Sequence, residues 1–275
     1  VHINPGSAAG RPAVVMAEPD GYLNLTNDTV TSESGAPSIR FSTRATDDGT
    51  RARVWGSLPV GHRTLRQRSR IDNPSLFAGA ALREALTSLG ITVRGEVREG
   101  EMARPARMLS YHRSEPLSSL LWMVGKMSDN FTAETLLKTL GAQGAAAGTW
   151  ERGQAAARGY MESIGIPEGS YQLLNGSGLF DANRYTPRQF TTVLRAVWAD
   201  QTIRPEFLTQ LATGGVDGTL QTRYRRSPAL RNVRAKTGTL AAVVALSGYV
   251  LAPSNGNTVA FSILTTLTAF APLFF

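Results

Sequence analysis

The residues best suited to chemistry lie together in one short stretch, Lys236-Thr237-Gly238-Thr239. The stretch opens a region whose composition favours a β-strand, and side chains along a strand alternate between two faces. Lys236 and Gly238 are therefore expected on one face, with Thr237 and Thr239 on the other. Such a strand suits the wall of an acyl-transfer cleft, because a cation, free backbone N–H groups and an open glycine position can hold an oxyanion and its substrate. An ordinary edge strand that ends in a Thr-Gly turn fits the same residues.

A second polar triplet, Ser128-Asp129-Asn130, lies where the apolar pattern predicts that one helix ends and another begins. The apolar face of each helix is formed by residues at helical spacing: in the first Leu117, Leu120, Leu121 and Val124, and in the second Phe131, Leu136, Leu137 and Leu140. All three polar residues are good helix caps, so capping alone explains the triplet.

The order of the predicted elements indicates an α+β fold. Strand-like segments are predicted at 13–16, 22–25, 38–42, 51–55 and 91–97, with one helix at 76–89 among them. Further helices are predicted at 117–126, 131–140, 150–164 and 188–199, and strands at 232–240, 243–251 and 258–264. The last two strands are joined around Asn255-Gly256, a strong hairpin signal. This order implies helices packed on a largely antiparallel sheet.

Composition restricts the partners. The chain is 42% hydrophobic and 18% charged, which is typical of a globular protein, and its formal net charge is +8. A basic surface could attract nucleic acid, but the arginines are scattered and aromatic residues are not interleaved with them, so no nucleic-acid partner is predicted. The absence of cysteine and the dispersal of His2, His62 and His112 predict no metal site and no cofactor.

The two ends of the chain carry their own expectations. The chain begins with Val1 and shows no signal-peptide pattern, which predicts a processed form or a fragment. No charged residue occurs after Lys236, and residues 258–275 are almost wholly apolar. A membrane span is conceivable there, but several Ser and Thr residues and Pro272 favour a buried strand followed by a tail. We therefore predict no stable membrane span.

The two triplets, in this order and about 110 residues apart, form two of the three sequence elements of active-site serine penicillin-recognising enzymes. The segments 175–179 and 215–220, together with 4–6, 54–59 and 72–74, also resemble the D-alanyl-D-alanine carboxypeptidase/endopeptidase family, the class C low-molecular-mass penicillin-binding proteins. The resemblance covers nearly the whole chain. It implies a penicillin-binding-protein/serine β-lactamase-like domain, with residues 1–106 as the remnant of a β-rich inserted accessory domain. Residues 107–275 would be the C-terminal part of the transpeptidase-like catalytic domain.

The resemblance also implies catalytic roles. Ser128 and Lys236 belong to the proton-relay group, and Asn130 orients the amide of the substrate. Ser128 Oγ and Lys236 Nζ should then face one cleft within about 4 Å of each other.

The same resemblance implies the residues that bind substrate. The Thr237 and Thr239 hydroxyls hold the terminal carboxylate, and the Thr239 backbone N–H is one oxyanion donor. Gly238 keeps the strand surface open for the substrate backbone. The implied partners are peptidoglycan stem peptides ending in D-Ala-D-Ala and β-lactam antibiotics, in an extracytoplasmic location.

One departure from the family stands out. The family's nucleophile lies in Ser-x-x-Lys, and no serine in this sequence has a lysine three residues later. We therefore expect a serine D-Ala-D-Ala carboxypeptidase/endopeptidase of which this chain is a piece, inactive alone. One alternative is a non-catalytic peptidoglycan-binding or scaffolding protein, and a weaker one is a serine β-lactamase.

Overall fold

The computed structural model describes residues 1–19, 21–46, 49–67, 69, 71–101, 105–142, 147–180, 182–251 and 256–266. The protein folds as two compact units, Val1–Ser110 and Tyr111–Phe275. Both units contain helix and sheet. The predicted α+β composition is therefore confirmed.

The first unit joins two three-stranded sheets in one core. Its elements are β1 (His2–Asn4), β2 (Val14–Met16), β3 (Leu23–Ser32), β4 (Arg40–Thr46), β5 (Gly49–Pro59), β6 (Leu65–Arg66) and α1 (Pro74–Ser88). One sheet has the order β2-β1-β6 and is antiparallel. In the other, with the order β3-β5-β4, β4 pairs antiparallel and β3 parallel with β5. Ile3 of β1 packs with Val54 and Leu58 of β5 and so joins the two sheets.

The helix predicted at 76–89 is α1, and the Asn73 side chain caps its N-terminus. Asn73 Oδ1 accepts a hydrogen bond from the Leu76 N–H at 2.9 Å. This bond satisfies one of the N–H groups that the first turn of a helix leaves without a partner. The start of α1 therefore follows from a local interaction that the sequence displays.

The strand predicted at 91–97 is wrong, because these residues pair with no described strand. Gly95 has φ +90°, which interrupts an extended run. The Val97 side chain instead packs against α1, where it fills the space that a Cβ on Gly79 would occupy. Val97 therefore serves a contact with a helix and not a sheet, while Ile91 and Val93 are exposed.

The second unit sets helices against a four-stranded antiparallel sheet. Its elements are α2 (Leu117–Met127), α3 (Asn130–Leu140), α4 (Trp150–Ser163), α5 (Pro187–Ala199), α6 (Arg204–Gln210), β7 (Ala212–Thr213), a 3-10 turn (Gly218–Leu220), β8 (Val233–Thr239), β9 (Val243–Leu251) and β10 (Thr258–Thr266). The predicted helices and strands of this region are confirmed, while α6 and β7 have no counterpart in the prediction. The hairpin turn predicted at Asn255-Gly256 lies partly outside the described residues.

The sheet β10-β9-β8-β7 is packed on both faces. Tyr249 of β9 and Leu194 of α5 belong to one core cluster, and Ala235 of β8 and Leu220 belong to another. Tyr249 pairs in register with Arg234, the neighbour of Ala235, so the two clusters lie on opposite faces. Two cores hold β8 in place, which matters because Lys236 belongs to this strand.

A strand does form at the start of 258–275, but the expectation that it is buried is wrong. β10 is an edge strand of alternating exposure, and Val259 and Ile263 are 55% and 54% exposed. The predicted tail, 267–275, lies outside the described residues. Across the part of the chain that the structure describes, no helix is long and apolar enough to cross a membrane.

Replacing Tyr249 with phenylalanine tests the packing that fixes the sheet. Tyr249 is 1% exposed, and its hydroxyl donates to the Leu194 carbonyl oxygen at 2.7 Å. We expect Tyr249→Phe to lower the free energy of unfolding by about 1 kcal/mol, because a buried hydrogen bond is lost. Urea denaturation measures the change. Tyr111→Phe, at a side chain that is 70% exposed, is the matched control, and an equal loss in both variants would contradict the assignment.

Candidate active site

Ser128 links α2 to α3 with a left-handed backbone, φ 58° and ψ 44°. A residue with a side chain keeps this conformation only where its surroundings hold it there. The neighbouring Asp129 caps α3, since its Oδ1 accepts a hydrogen bond from the Thr132 N–H at 2.8 Å. Helix capping therefore explains Asp129, whereas the Ser128 hydroxyl contacts another element.

That element is β8, where Lys236 meets Ser128. Lys236 Nζ lies 2.6 Å from Ser128 Oγ and 2.7 Å from the Thr237 carbonyl oxygen. The first distance satisfies the expected limit of about 4 Å. Burial lowers the pKa of Lys236 below its ordinary value, because desolvation penalises the ammonium form. A larger neutral fraction allows a proton to pass between the amine and the hydroxyl in either direction.

The backbone of β8 presents donors on an open edge. The Leu240 N–H donates to the Val243 carbonyl oxygen at 2.8 Å, on the β9 side. Backbone groups alternate in direction along a strand, so the N–H groups of Thr237 and Thr239 point to the opposite edge. There β7 pairs with β8 only as far as Ala235. Among the described strands, nothing covers this edge beyond that residue, and the two N–H groups are free to meet a substrate.

The remaining predicted residues differ in their contacts and exposure. Thr237 Oγ1 donates to Thr219 Oγ1 at 2.8 Å, a contact the sequence did not indicate. Thr239 is exposed at the end of β8, and Asn130 is exposed at the first residue of α3. Gly238 leaves the strand open, since an added Cβ would meet only one side chain of β9, at 3.3 Å.

A buried ion pair anchors the end of α2 just before Ser128. Lys126 Nζ lies 2.6 Å from Asp217 Oδ2, and the side chains are 7% and 38% exposed. Asp217 Oδ1 also accepts a hydrogen bond from the Thr213 N–H at 2.7 Å. Burial alone would raise the pKa of Asp217, but the hydrogen bonds from Lys126 and Thr213 outweigh it and lower the pKa. The pair ties α2 to the loop that follows β7.

Gly125 and Gly218 allow α2 to lie close to α6 and to the 3-10 turn. A Cβ on Gly125 would collide with the Gln210 carbonyl oxygen of α6. Gly218 has φ +55°, and a Cβ there would lie 2.7 Å from the Lys126 carbonyl oxygen. Because only glycine fits both contacts, the last turn of α2 lies directly on α6 and on the 3-10 turn.

Glu134 holds the glycine-rich loop 175–179 against α3. Its carboxylate accepts hydrogen bonds from the Ser177 N–H at 3.0 Å, the Ser177 hydroxyl at 2.5 Å, the Gly176 N–H at 3.2 Å and Trp150 Nε1 at 3.1 Å. Burial alone would raise the pKa of Glu134, but these donors outweigh it and lower the pKa. Glu134 lies one helical turn after Asn130, so the loop is fixed beside that residue.

Lys126, Asp217 and Glu134 are missing from the predicted site, although two of them carry a sequence signal. Lys126 is one of three lysines and stands among apolar residues, and Glu134 shares a helix face with Asn130. Asp217 lies in the family-like segment 215–220, but that resemblance gives no sign of its contact with Lys126, which is 91 residues away. Among the described residues, no group of three or more histidine, aspartate or glutamate side chains could hold a metal ion.

Comparison with known proteins gives consistent matches. The sequence profile of the D-Ala-D-Ala carboxypeptidase 3 (S13) family matches residues 1–272. The chain is 35% identical over 272 residues to the D-alanyl-D-alanine carboxypeptidase of Actinomadura sp. (strain R39), covering 96% of this chain and 50% of that protein. It is 29% identical over 217 residues to the D-alanyl-D-alanine carboxypeptidase DacB of Haemophilus influenzae, covering 78% and 45%. The chain therefore spans about half the length of the curated relatives it matches.

A solved structure shares the fold. The crystal structure of penicillin binding protein 4 (dacB) from Haemophilus influenzae matches with a TM-score of 0.76 at 24% sequence identity. The match covers 98% of this chain and 60% of that chain. Both units therefore have counterparts in that protein.

Replacing Asp217 and replacing Lys126 should lower the stability by different amounts. We expect Asp217→Ala to cost about 2–3 kcal/mol, between the values for an exposed and a fully buried pair, because it leaves the buried Lys126 ammonium without this carboxylate while Asp217 itself is 38% exposed. Lys126→Met should cost less, since the more exposed Asp217 carboxylate can be hydrated. Chemical denaturation measures both, and Lys138→Met at an exposed position is the control. The double variant should be more stable than Asp217→Ala alone, and equal losses in the two single variants would contradict the role of burial.

Lys236 should titrate below the ordinary lysine pKa. Selective ¹³C labelling of lysine gives three Cε signals, and Lys236→Arg identifies the one of interest. The folded state binds this proton less tightly than the unfolded state, so stability should rise with pH between the folded and the ordinary pKa. The unfolding free energy of the protein relative to Lys236→Met should increase across that window. A midpoint at or above the ordinary lysine value would rule out the lowered pKa.

Proposed function

Because the chain belongs to the D-Ala-D-Ala carboxypeptidase 3 (S13) family, whose members are serine D-Ala-D-Ala carboxypeptidases, we propose that it serves this reaction. Its substrate would be the terminal D-Ala-D-Ala bond of a peptidoglycan stem peptide, cleaved through an acyl-enzyme. The contact of 2.6 Å between Lys236 Nζ and Ser128 Oγ carries the proposal, because acyl transfer needs a proton route to the leaving amine.

The proposed reaction begins with a nucleophile that these 275 residues do not contain. The hydroxyl of a serine in a Ser-x-x-Lys motif gives its proton to the neutral amine of that motif's lysine. The serine oxygen bonds to the carbonyl carbon of the penultimate D-alanine, and the C–N bond to the terminal D-alanine breaks. The leaving amine takes a proton from the Ser128 hydroxyl, which recovers one from the Lys236 ammonium. The lowered pKa of Lys236 favours that transfer.

The edge of β8 would bind the substrate. The Thr239 N–H points to this edge and would donate to the oxyanion as it forms. The hydroxyls of Thr237 and Thr239 would hold the terminal carboxylate, while Asn130 orients the substrate amide. Gly238 would let the substrate backbone lie against the strand.

The division of the chain follows the same proposal. Residues 1–106 would be the remnant of an inserted β-rich accessory domain, and residues 107–275 the C-terminal part of the catalytic domain. The chain contains no Ser-x-x-Lys, so we infer that residues 1–275 do not form an acyl-enzyme by themselves. Substrate and antibiotic would be met outside the cytoplasm, where peptidoglycan is.

The absence of Ser-x-x-Lys favours a second candidate, a non-catalytic protein that binds peptidoglycan stem peptides through the same edge of β8. The gene sequence upstream of the Val1 codon separates the two. A Ser-x-x-Lys there supports the carboxypeptidase, and a start codon with a signal peptide but without this motif supports the binding protein. Serine β-lactamases share the order of these motifs. Penicillin turnover measures such an activity directly.

Fluorescent penicillin tests the catalytic proposal. A chain extended upstream to include Ser-x-x-Lys should become covalently labelled, while the 275-residue chain should not. In the extended chain, Ser128→Ala should slow labelling by about 10²–10⁴-fold, because the proton relay is interrupted. Ser118→Ala, at an exposed serine of α2, is the control and should label at the original rate.

Two results would overturn parts of this proposal. Labelling of the 275-residue chain at any serine would refute its inactivity. An undiminished rate in the extended Ser128→Ala variant would remove Ser128 from the relay.

A further inference from the structure

One face of the sheet β3-β5-β4 concentrates positive charge. The pairing register puts three rows of residues on this face. The rows are Asn24, Arg51 and Arg44; Thr26, Arg53 and Ser42; and Asp28, Trp55 and Arg40. All of them except the half-buried Trp55 are exposed. The four arginines are called the arginine face below.

Among the described residues of this face, arginines outnumber acidic side chains. Arg44 and Arg51 are direct cross-strand partners, an arrangement that destabilises a sheet. Asp28 is the acidic side chain on the face among the described residues, and its carboxylate lies 2.6 Å from Arg53 Nε. The surplus therefore rests with Arg40, Arg44 and Arg51. The two aspartates of the β4–β5 turn lie outside the described residues.

The chemistry of the face favours a linear polyanion. Guanidinium groups pair with phosphate through two parallel hydrogen bonds. Arg51 and Arg53 are two residues apart on one strand, about 7 Å, which is close to the separation of phosphates joined by a three-carbon spacer. The chain's net charge of +8 draws such a polymer from a distance.

Two other polyanionic partners fit less well. The Arg53 guanidinium carbon lies 5.5 Å from the Trp55 ring centroid and occupies one side of the ring. Trp55 is the one aromatic residue in the three rows, which is too few for a platform of successive stacked bases. Trp55 is the one large apolar side chain in the three rows and is half-buried, so the face lacks the set of exposed apolar groups that insert into a lipid surface.

We propose that the arginine face binds a linear cell-wall polymer whose repeat carries a phosphodiester, and so holds the protein against the wall. An open cavity of about 480 Å³ beside β4 includes Arg40, Ser42 and Trp55, and it gives room for a sugar on the polymer. The choice of a wall polymer rests on the proposed function. The binding itself involves none of the residues of the candidate active site.

Binding of poly(glycerol phosphate) to the 275-residue chain tests this proposal, with affinity measured by calorimetry at several salt concentrations. We expect the logarithm of affinity to fall against the logarithm of salt with a slope of about −3, since three or four phosphates are neutralised. The triple variant Arg40→Gln, Arg44→Gln, Arg51→Gln should reduce that slope by about 2 and weaken binding at least tenfold, on the order expected for three lost contacts.

A matched triple variant removes the same charge elsewhere in the first unit. Arg63→Gln, Arg94→Gln and Arg98→Gln change exposed residues off this face and should leave the slope and affinity near those of the original chain. Thermal unfolding checks folding, and the arginine-face variant should melt no lower than the original, because a like-charge pair is removed.

Four outcomes would overturn the proposal. They are no binding by the original chain, equal loss in both triple variants, equally tight binding of single-stranded oligothymidine with the same number of phosphates, and equally tight binding of anionic phospholipid vesicles. None requires penicillin labelling, so failure of the catalytic proposal is seen separately.

Discussion

The ion pair between the buried Lys126 and the partly exposed Asp217 is the constraint on which the candidate site depends. A lysine leaves water at a cost of several kcal/mol unless it is paired, so the last turn of α2 can occupy its place only with this carboxylate beside it. Gly125 and Gly218 remove the side chains that would keep the partners apart. Ser128 follows two residues later in a left-handed conformation, and the position of its hydroxyl therefore derives from this anchor.

Lys126 and Lys236 show how surroundings give one residue type two roles. Lys126 is held by a carboxylate at 2.6 Å, which fixes a helix end. The described contacts of Lys236 are a hydroxyl and a carbonyl oxygen, which do not offset the desolvation of its ammonium, and its pKa is lowered. The first lysine stabilises the arrangement and the second is prepared to exchange a proton. Neither role follows from the residue alone.

The parts of the fold that the sequence predicts are those with local causes. α1 begins at Asn73 because the side chain caps the first turn, and the signal is complete within four residues. A strand needs a partner, so 91–97 has a strand-like composition but forms no ladder. Family resemblance brings Ser128 and Lys236 together across 108 residues. The family-like segment 215–220 contains Asp217 and Thr219, but the sequence assigns neither residue its contact in the site. Partners distant in sequence appear only once the chain is folded.

The arginine face illustrates the same limit at the level of a sheet. Its arginines look scattered in sequence, and the parallel pairing that sets Asp28 beside Arg53 has no hairpin signal. A shift of one residue in β5 would turn Arg51 and Arg53 into the core, so polarity on this face helps to fix the register. The register, however, requires only that the residues on this face are polar. Serine or threonine at position 44 or 51 would satisfy it without placing two cations opposite each other. The excess of charge over what folding requires is the property that a bound polyanion explains.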